Sequence, residues 1–203
     1  MCSMMETRNI MNKALIFSMQ KVGSSSLMAH LKKSGYSVDR GYAENIHTLL
    51  PISAYDLVVT PIRDPIARNI SWFFEKNGLR MLQENKTNEE IKAEFLKKID
   101  HSYPLRWFDT IYRLVTMIDI YNYGFSGNAL DIDNKFTILR IDKFEPEHRA
   151  NTIYTRNYGS IYYGFLQWVK LSAPYVDLMY NSKFAQHFFS EKELEERRIR
   201  WQE

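Results

Sequence analysis

The stretch Lys13–Ser26, KALIFSMQKVGSSS, decides how the rest of the chain is read. Its first part, Lys13–Met19, is an apolar run of strand length. Gln20–Ser25 then reads as a loop. From Ser26 to Ser34, Leu27, Met28 and Leu31 fall at helical spacing, and Gly35 is a helix stop. Strand, short glycine–serine loop and helix form an arrangement that binds phosphate. Gly23 allows an anion close to the backbone. The amides of Gly23 to Ser26 are helix-start donors, and the helix dipole favours negative charge there. Ser24, Ser25 and Ser26 add hydroxyls, and Lys21 adds a mobile cation at the loop mouth. The plainer alternative is a Gly/Ser turn that only caps a helix. The triphosphatase pattern G-x-x-x-x-G-K-[ST] is absent, because Lys21 comes two residues before Gly23.

Working outward, Leu57–Ile62, LVVTPI, predicts a strand buried on both faces, with Pro61 near its C-terminal end. Asp64-Pro65 is a helix start, Asp as N-cap and Pro at the first helical position. The helix is expected to run to about Lys76 and to end at Asn77-Gly78. Arg63 stands at the strand's end, where ligands of open α/β sheets bind, and offers a planar fork for phosphate. Ser71 lies two turns into the helix on the face of Arg68. The competing expectation is that Arg63 and Arg68 pair with local acids such as Asp64 and Glu75.

The remaining segments alternate in type. Tyr36–Val38 is a second short strand, and residues 79–104 are polar and read as inserted. A helix begins at Thr87-Asn88-Glu89-Glu90 and reaches Ile99, and another fits Leu105–Ile118. Asp131–Asn134 is a turn, Lys135–Ile141 a strand, and Tyr162–Lys170 a helix. Glu191–Trp201 is a helix with Ser190 and Glu193 forming a capping box. Strands interleaved with helices predict an α/β three-layer sandwich around a small parallel sheet. One domain over residues 1–203, with a helical insertion at about 79–118, accommodates all of this.

Composition narrows the class. The 203 residues are 45% apolar and 25% charged, which excludes a disordered chain, a collagen and a disulfide scaffold. The one cysteine, Cys2, forms neither an internal disulfide nor a zinc cluster, so a reducing compartment is expected. No apolar run approaches the roughly 18 residues of a membrane span. The N-terminal residues lack the apolar stretch of a signal peptide, so a cytoplasmic protein is expected. Net charge is +3, and residues 1–76 hold nine Lys/Arg against six Asp/Glu, whereas residues 77–203 hold eighteen of each. That excess is too small for nucleic-acid binding but suits one small polyanion near the first loop. Thirteen tyrosines, mostly in the second half, are read as core, with some lining a pocket.

Two anion motifs on successive strand–helix junctions suggest a ligand with two separated phosphates. The K-x-G-S-S-S of Lys21–Ser26 and the R-D-P-x-x-R-x-x-S of Arg63–Ser71 resemble the 5′-phosphosulfate loop and 3′-phosphate segment of sulfotransferases. ARNISWFF, TILRIDKF and the C-terminal MYNSKFAQHFFSEKELEERRIRW are similar to sulfotransferase-like proteins of bacterial capsular polysaccharide synthesis. The resemblance runs over residues 13–201 and implies the P-loop-nucleotidase-like sulfotransferase fold. It implies 3′-phosphoadenosine 5′-phosphosulfate as donor and adenosine 3′,5′-bisphosphate as product, with no metal. It also implies an acceptor hydroxyl or amine, expected on a carbohydrate, and no nucleic-acid or membrane partner. The chain is short for that class, so the acceptor-binding part is expected to be reduced.

By the same resemblance, Lys21 stabilises charge on the bridging oxygen, and the loop of Lys21, Val22, Gly23, Ser24, Ser25 and Ser26 holds the 5′-phosphate. Arg63 and Ser71 hold the 3′-phosphate. His47, between the two motifs, is the first candidate for general base, with Glu44 second. Arg156, Asn157, Tyr158 and Gly159 loosely resemble a segment that closes over the nucleotide. Trp72 and Phe73 are read as core or as flanking the site, and His187 as structural. Asp131–Asn134 is no EF-hand, because Lys135 and Phe136 occupy the fifth and sixth positions. Two alternatives stay open, a catalytically silent nucleotide-binding or assembly protein of the same fold and a P-loop nucleotide kinase. The missing G-K-[ST] speaks against the kinase.

Overall fold

A computed structural model describes residues 12–143 and 157–203 of the chain. In chain order the elements begin with β1 (Lys13–Phe17), α1 (Ser24–Lys33), β2 (Ser37–Gly41) and β3 (Leu57–Ile62). Next come α2 (Pro65–Gln83), α3 (Asn88–Lys98), α4 (Tyr103–Trp107) and α5 (Arg113–Thr116). Then follow β4 (Ala129–Ile132), β5 (Phe136–Arg140), α6 (Gly159–Trp168), α7 (Ala173–Tyr180), α8 (Lys183–Phe188) and α9 (Glu191–Trp201).

The sheet has five strands in the order β2-β1-β3-β5-β4. β1 pairs in parallel with β2 and β3, and β3 in parallel with β5. The small parallel sheet expected from the sequence is thus present, with one addition at its edge: β4, not expected from the sequence, runs antiparallel to β5. A tight turn joins the two, with Asp133 and Asn134 both at positive φ, and Asp and Asn tolerate that region better than other non-glycine residues. This is the turn read at Asp131–Asn134. Helices cover both faces of the sheet. Ala14 and Ile16 of β1 face Leu27 and Leu31 of α1. Leu15 and Phe17 point the other way into the larger core of α2–α9. That alternation on a strand buried on both sides explains why KALIF is apolar throughout.

Boundaries differ from expectation where packing overrides local signals. α1 starts at Ser24 rather than Ser26, and the second strand is Ser37–Gly41 rather than Tyr36–Val38. α2 does not stop at Asn77-Gly78 but continues to Gln83. A Cβ at residue 78 would stand 2.7 Å from the Tyr158 ring, so Gly78 serves a close helix contact rather than a stop. The helix predicted at Leu105–Ile118 is split into α4, a π-turn over Phe108–Tyr112, and α5. Residues 79–118 are helical, yet they are not peripheral: Ile91, Phe95, Trp107 and Tyr112 belong to the main core. The predicted capping box of Ser190 with Glu193 forms, and a second one, Thr87 with Glu90, opens α3 where a helix start was expected.

A charge network ties the sheet to the C-terminal helix. Arg140, at the end of β5, donates to Asp142 and, through Nη1 and Nη2, to Glu193 of α9, each at 2.8 Å. Arg197 donates to Asp142 at 2.7 Å and to Asp64 at 3.0 Å, and Tyr180 Oη also donates to Asp64 at 2.7 Å. Arg140 is 3% exposed. Burial opposes its charge, but the hydrogen bonds to Glu193 and Asp142 outweigh that and raise its pKa. Hydrogen bonding to Arg140 holds the Glu193 carboxyl well below the usual range. Burial works to raise Asp142, but Arg140 and Arg197 bring it below its ordinary value.

Depressed carboxyl pKa values stabilise the fold above the unfolded-state values, 3.8 for Asp and 4.5 for Glu, and that stability is lost as pH falls through the folded values. Arg140→Leu should therefore cost roughly 3 kcal/mol at pH 7, from the carboxylates left unpaired. It should also flatten the acid limb of stability below about pH 4.5. Urea unfolding of both proteins from pH 7 to pH 2.5 measures this. Parallel acid limbs would show that Arg140 does not hold these carboxylates.

Candidate functional site

Because β1 and β3 run parallel, their C-terminal ends meet at one edge of the sheet. The loop after β1 and Arg63 after β3 are thereby neighbours. Arg63 Nη1 donates to the Lys21 carbonyl at 3.2 Å. Arg68 Nε donates to the preceding carbonyl, Gln20, at 3.0 Å. Lys21 and Gly23 both adopt left-handed backbone, at φ 70 and φ 83. For a lysine this costs about 1–2 kcal/mol, the kind of outlier found where a loop is shaped for a ligand. In the first turn of α1 the Leu27 amide donates to the Gly23 carbonyl, so the amides before it form the open helix start. Ile141 Cγ1 would lie 2.4 Å from a Cβ at residue 23, so Gly23 is fixed by space as well as by φ.

The face of α2 turned to this loop carries Arg68, Ser71, Glu75 and Gly78 at spacings of three and four. Glu75 holds the Lys21 ammonium at 3.0 Å and accepts from Tyr158 Oη at 3.2 Å. Ser71 is 2% exposed, and among the described residues its hydroxyl has no hydrogen-bond partner. From the other side, the end of β2 reaches α1. Arg40 Nη1 donates to Ser25 Oγ, and Tyr42 Oη bonds Ser24 Oγ, each at 3.2 Å. Arg40 also lies over the Tyr42 ring at 5.4 Å. Lys21, Arg40, Arg63 and Arg68 thus surround one loop. Among the described residues Arg63 forms no ion pair, so most of its fork is uncommitted.

Lys21, Val22, Gly23, Ser24, Ser25, Ser26, Arg63 and Ser71 all belong to this one edge. Tyr158 joins them through Glu75, and Gly159 opens α6 directly behind it. Arg156 lies outside the described residues, as do Cys2 and His148. Neither Arg63 nor Arg68 pairs with Asp64 or Glu75, because Arg197 and Tyr180 occupy Asp64 and Lys21 occupies Glu75. Phe73 is core, edge-on to Phe74 and Phe95. His187 is packed against Tyr121 and Phe188, and burial keeps its pKa low. His47 is exposed on a 3-10 turn, Ile46–Leu49, and no described hydrogen bond, ion pair or ring contact joins it to the loop. Glu44 does reach the loop, accepting from Gln20 Nε2 at 3.2 Å.

No family model matches the chain, and no curated protein or solved structure is significantly similar to it. The geometry therefore carries the functional reading. Several participants were not singled out as site residues from the sequence. Glu75 had a signal, since it lies four residues beyond Ser71 on the same helical face. Arg40 and Tyr42 had one too, flanking the C-terminal end of a strand next to β1. Asp100 and Tyr103, which approach from the α3–α4 turn, had none.

Gly23→Ala tests the loop. It should destabilise the fold by roughly 2–3 kcal/mol, from positive φ and the clash with Ile141. Thermal unfolding should show it, and a second change, Ile141→Ala, should recover part of the loss. No recovery would place the strain elsewhere.

Proposed function

We propose that the chain transfers a sulfuryl group from 3′-phosphoadenosine 5′-phosphosulfate to an acceptor hydroxyl, on a sulfotransferase-type P-loop-like fold. The observation that carries this reading is the joining of the Lys21 loop to Arg63 across adjacent parallel strand ends, 3.2 Å between guanidinium and carbonyl. A donor with phosphates at its 5′ and 3′ positions calls for two anion receptors at a fixed separation. The open helix start at Gly23–Ser26 suits the 5′ side. Arg63, free of any described carboxylate, and the unpartnered Ser71 hydroxyl suit the 3′ side.

In the reaction the acceptor oxygen forms a bond to sulfur and loses its proton to a base. The bond from sulfur to the 5′-phosphate oxygen breaks, and adenosine 3′,5′-bisphosphate leaves. Negative charge grows on the departing oxygen, where a nearby ammonium is most effective. Lys21 supplies it, exchanging Glu75 for the phosphate. Glu44, which the Gln20 amide holds beside the loop, takes the acceptor proton in preference to His47, which makes no described contact with the loop.

Calorimetry with adenosine 3′,5′-bisphosphate and with adenosine 5′-phosphate tests the binding half. Arg63→Ala should weaken the bisphosphate by about 10- to 100-fold, the equivalent of one charge-assisted contact, and leave the monophosphate within about threefold. Equal losses for both ligands would contradict the assignment. Lys21→Ala should lower turnover of labelled donor by about 100- to 1,000-fold while the protein stays folded. Unchanged turnover would remove Lys21 from the reaction.

A further inference from the structure

Beside the loop lies a pocket of about 130 Å³ lined by Gln20, Glu44, Arg68, Trp72, Asp100 and Tyr103. Its floor contains an uncommon group. Arg68 is 3% exposed, yet among the described residues it forms no ion pair. Its Nε is used by the Gln20 carbonyl and its Nη1 by Asn69 Oδ1, both at 3.0 Å. Among the described residues no hydrogen bond engages Nη2. The guanidinium is flanked by two ring faces, Tyr103 at 4.9 Å and Trp72 at 5.5 Å. Burial pushes its pKa down to about 10, against the charges of Tyr103, Asp100 and Glu44, so it remains a cation at neutral pH.

The carboxylates at the rim do not cancel this cation. Arg106 pairs with Asp100, and Lys76 adds a further positive charge 4.6 Å over the Trp72 ring. That leaves Glu44 facing Arg68. By contrast, the larger cavity of about 350 Å³ along α7–α9 has its Arg198 already bonded to Asp177 and Asn181.

We infer that this pocket binds the acceptor, and that the acceptor is a sugar acid whose carboxylate docks on the open edge of the Arg68 guanidinium. Trp72 and Tyr103 line the pocket as apolar walls beside the guanidinium they stack on, and Glu44 meets a neighbouring hydroxyl. The inference rests on the sulfuryl-transfer reading for what happens to that hydroxyl, but not for the binding itself.

D-glucuronate and D-glucose, titrated separately against the wild-type protein by ligand-observed NMR, test it. Glucuronate should bind at least about tenfold more tightly, and Arg68→Gln should reduce that ratio to about one. Should Arg68→Gln fail to fold, Trp72→Ala replaces it and should weaken both sugars, with the preference for glucuronate retained. Equal affinity for the two sugars in the wild type, or binding of neither, overturns the inference. Adenosine 3′,5′-bisphosphate titrated in parallel separates the two ideas. Failure of the nucleotide to bind sinks the transferase reading, while the glucuronate preference stands or falls independently.

Discussion

Two carbonyl oxygens, those of Gln20 and Lys21, are each held by an arginine from beyond the next strand. Arg68 takes the first and Arg63 the second. Those bonds set the shape of the loop between β1 and α1. Lys21 in left-handed backbone costs about 1–2 kcal/mol. A hydrogen bond from a charged donor contributes about 1.5–3 kcal/mol, enough to offset it. In a trans peptide the N–H opposes the C=O, so the amides of Lys21 and Val22 point away from the arginines. Those two amides and the guanidiniums therefore lie on different sides of the loop.

That arrangement depends in turn on where the acids are spent. Asp64 is the nearest carboxylate to Arg63 in sequence, but it caps α2 through the Ala67 amide and accepts from Tyr180 and Arg197. Asp142 and Glu193 are taken by Arg140 and Arg197. Glu75 is taken by Lys21. The C-terminal helix α9 thus influences the site without touching it. By drawing Asp64 into its own network, Arg197 leaves Arg63 without a carboxylate partner. Lys21, Arg40, Arg63 and Arg68 are thereby gathered around one loop of a chain that is only slightly basic overall.

How much of this was legible beforehand depended on whether the cause was local. KALIF, LVVTPI, Asp64-Pro65 and the capping box of Ser190 with Glu193 are local signals of burial, N-capping and helix start, and they read correctly. β4 was missed altogether, with Asp131 and Ile132 read as turn, because Ala129–Ile132 is short and half exposed and takes its place only by pairing with β5. Asn77-Gly78 misled because a glycine needed for contact with Tyr158, eighty residues away, looks the same as one that ends a helix. The adjacency of Lys21 and Arg63 was accessible from the rule that ligands gather at strand C-termini. The pocket was not, since Asp100 and Tyr103 arrive by tertiary packing of α3 and α4. Asn69 Nδ2 fixes that turn by donating to the His101 carbonyl at 2.9 Å.

The choice between Glu44 and His47 shows the same division. Both lie in the interval between the two anion motifs. What separates them is register. The turn Ile46–Leu49 is a 3-10 helix, in which residues three apart share a face. Ile46 and Leu49 both lean on Gly41 at the end of β2. A Cβ there would be 2.7 Å from Ile46 Cδ1 and 3.3 Å from Leu49 Cδ1. With that face turned inward, His47 is carried outward to solvent. Glu44 precedes the turn, where Asn45 Oδ1 accepts the Tyr42 amide at 2.7 Å and closes the bend. That bend leaves the Glu44 carboxylate within reach of Gln20. A small residue at the end of one strand thus determines which of two plausible bases faces the loop.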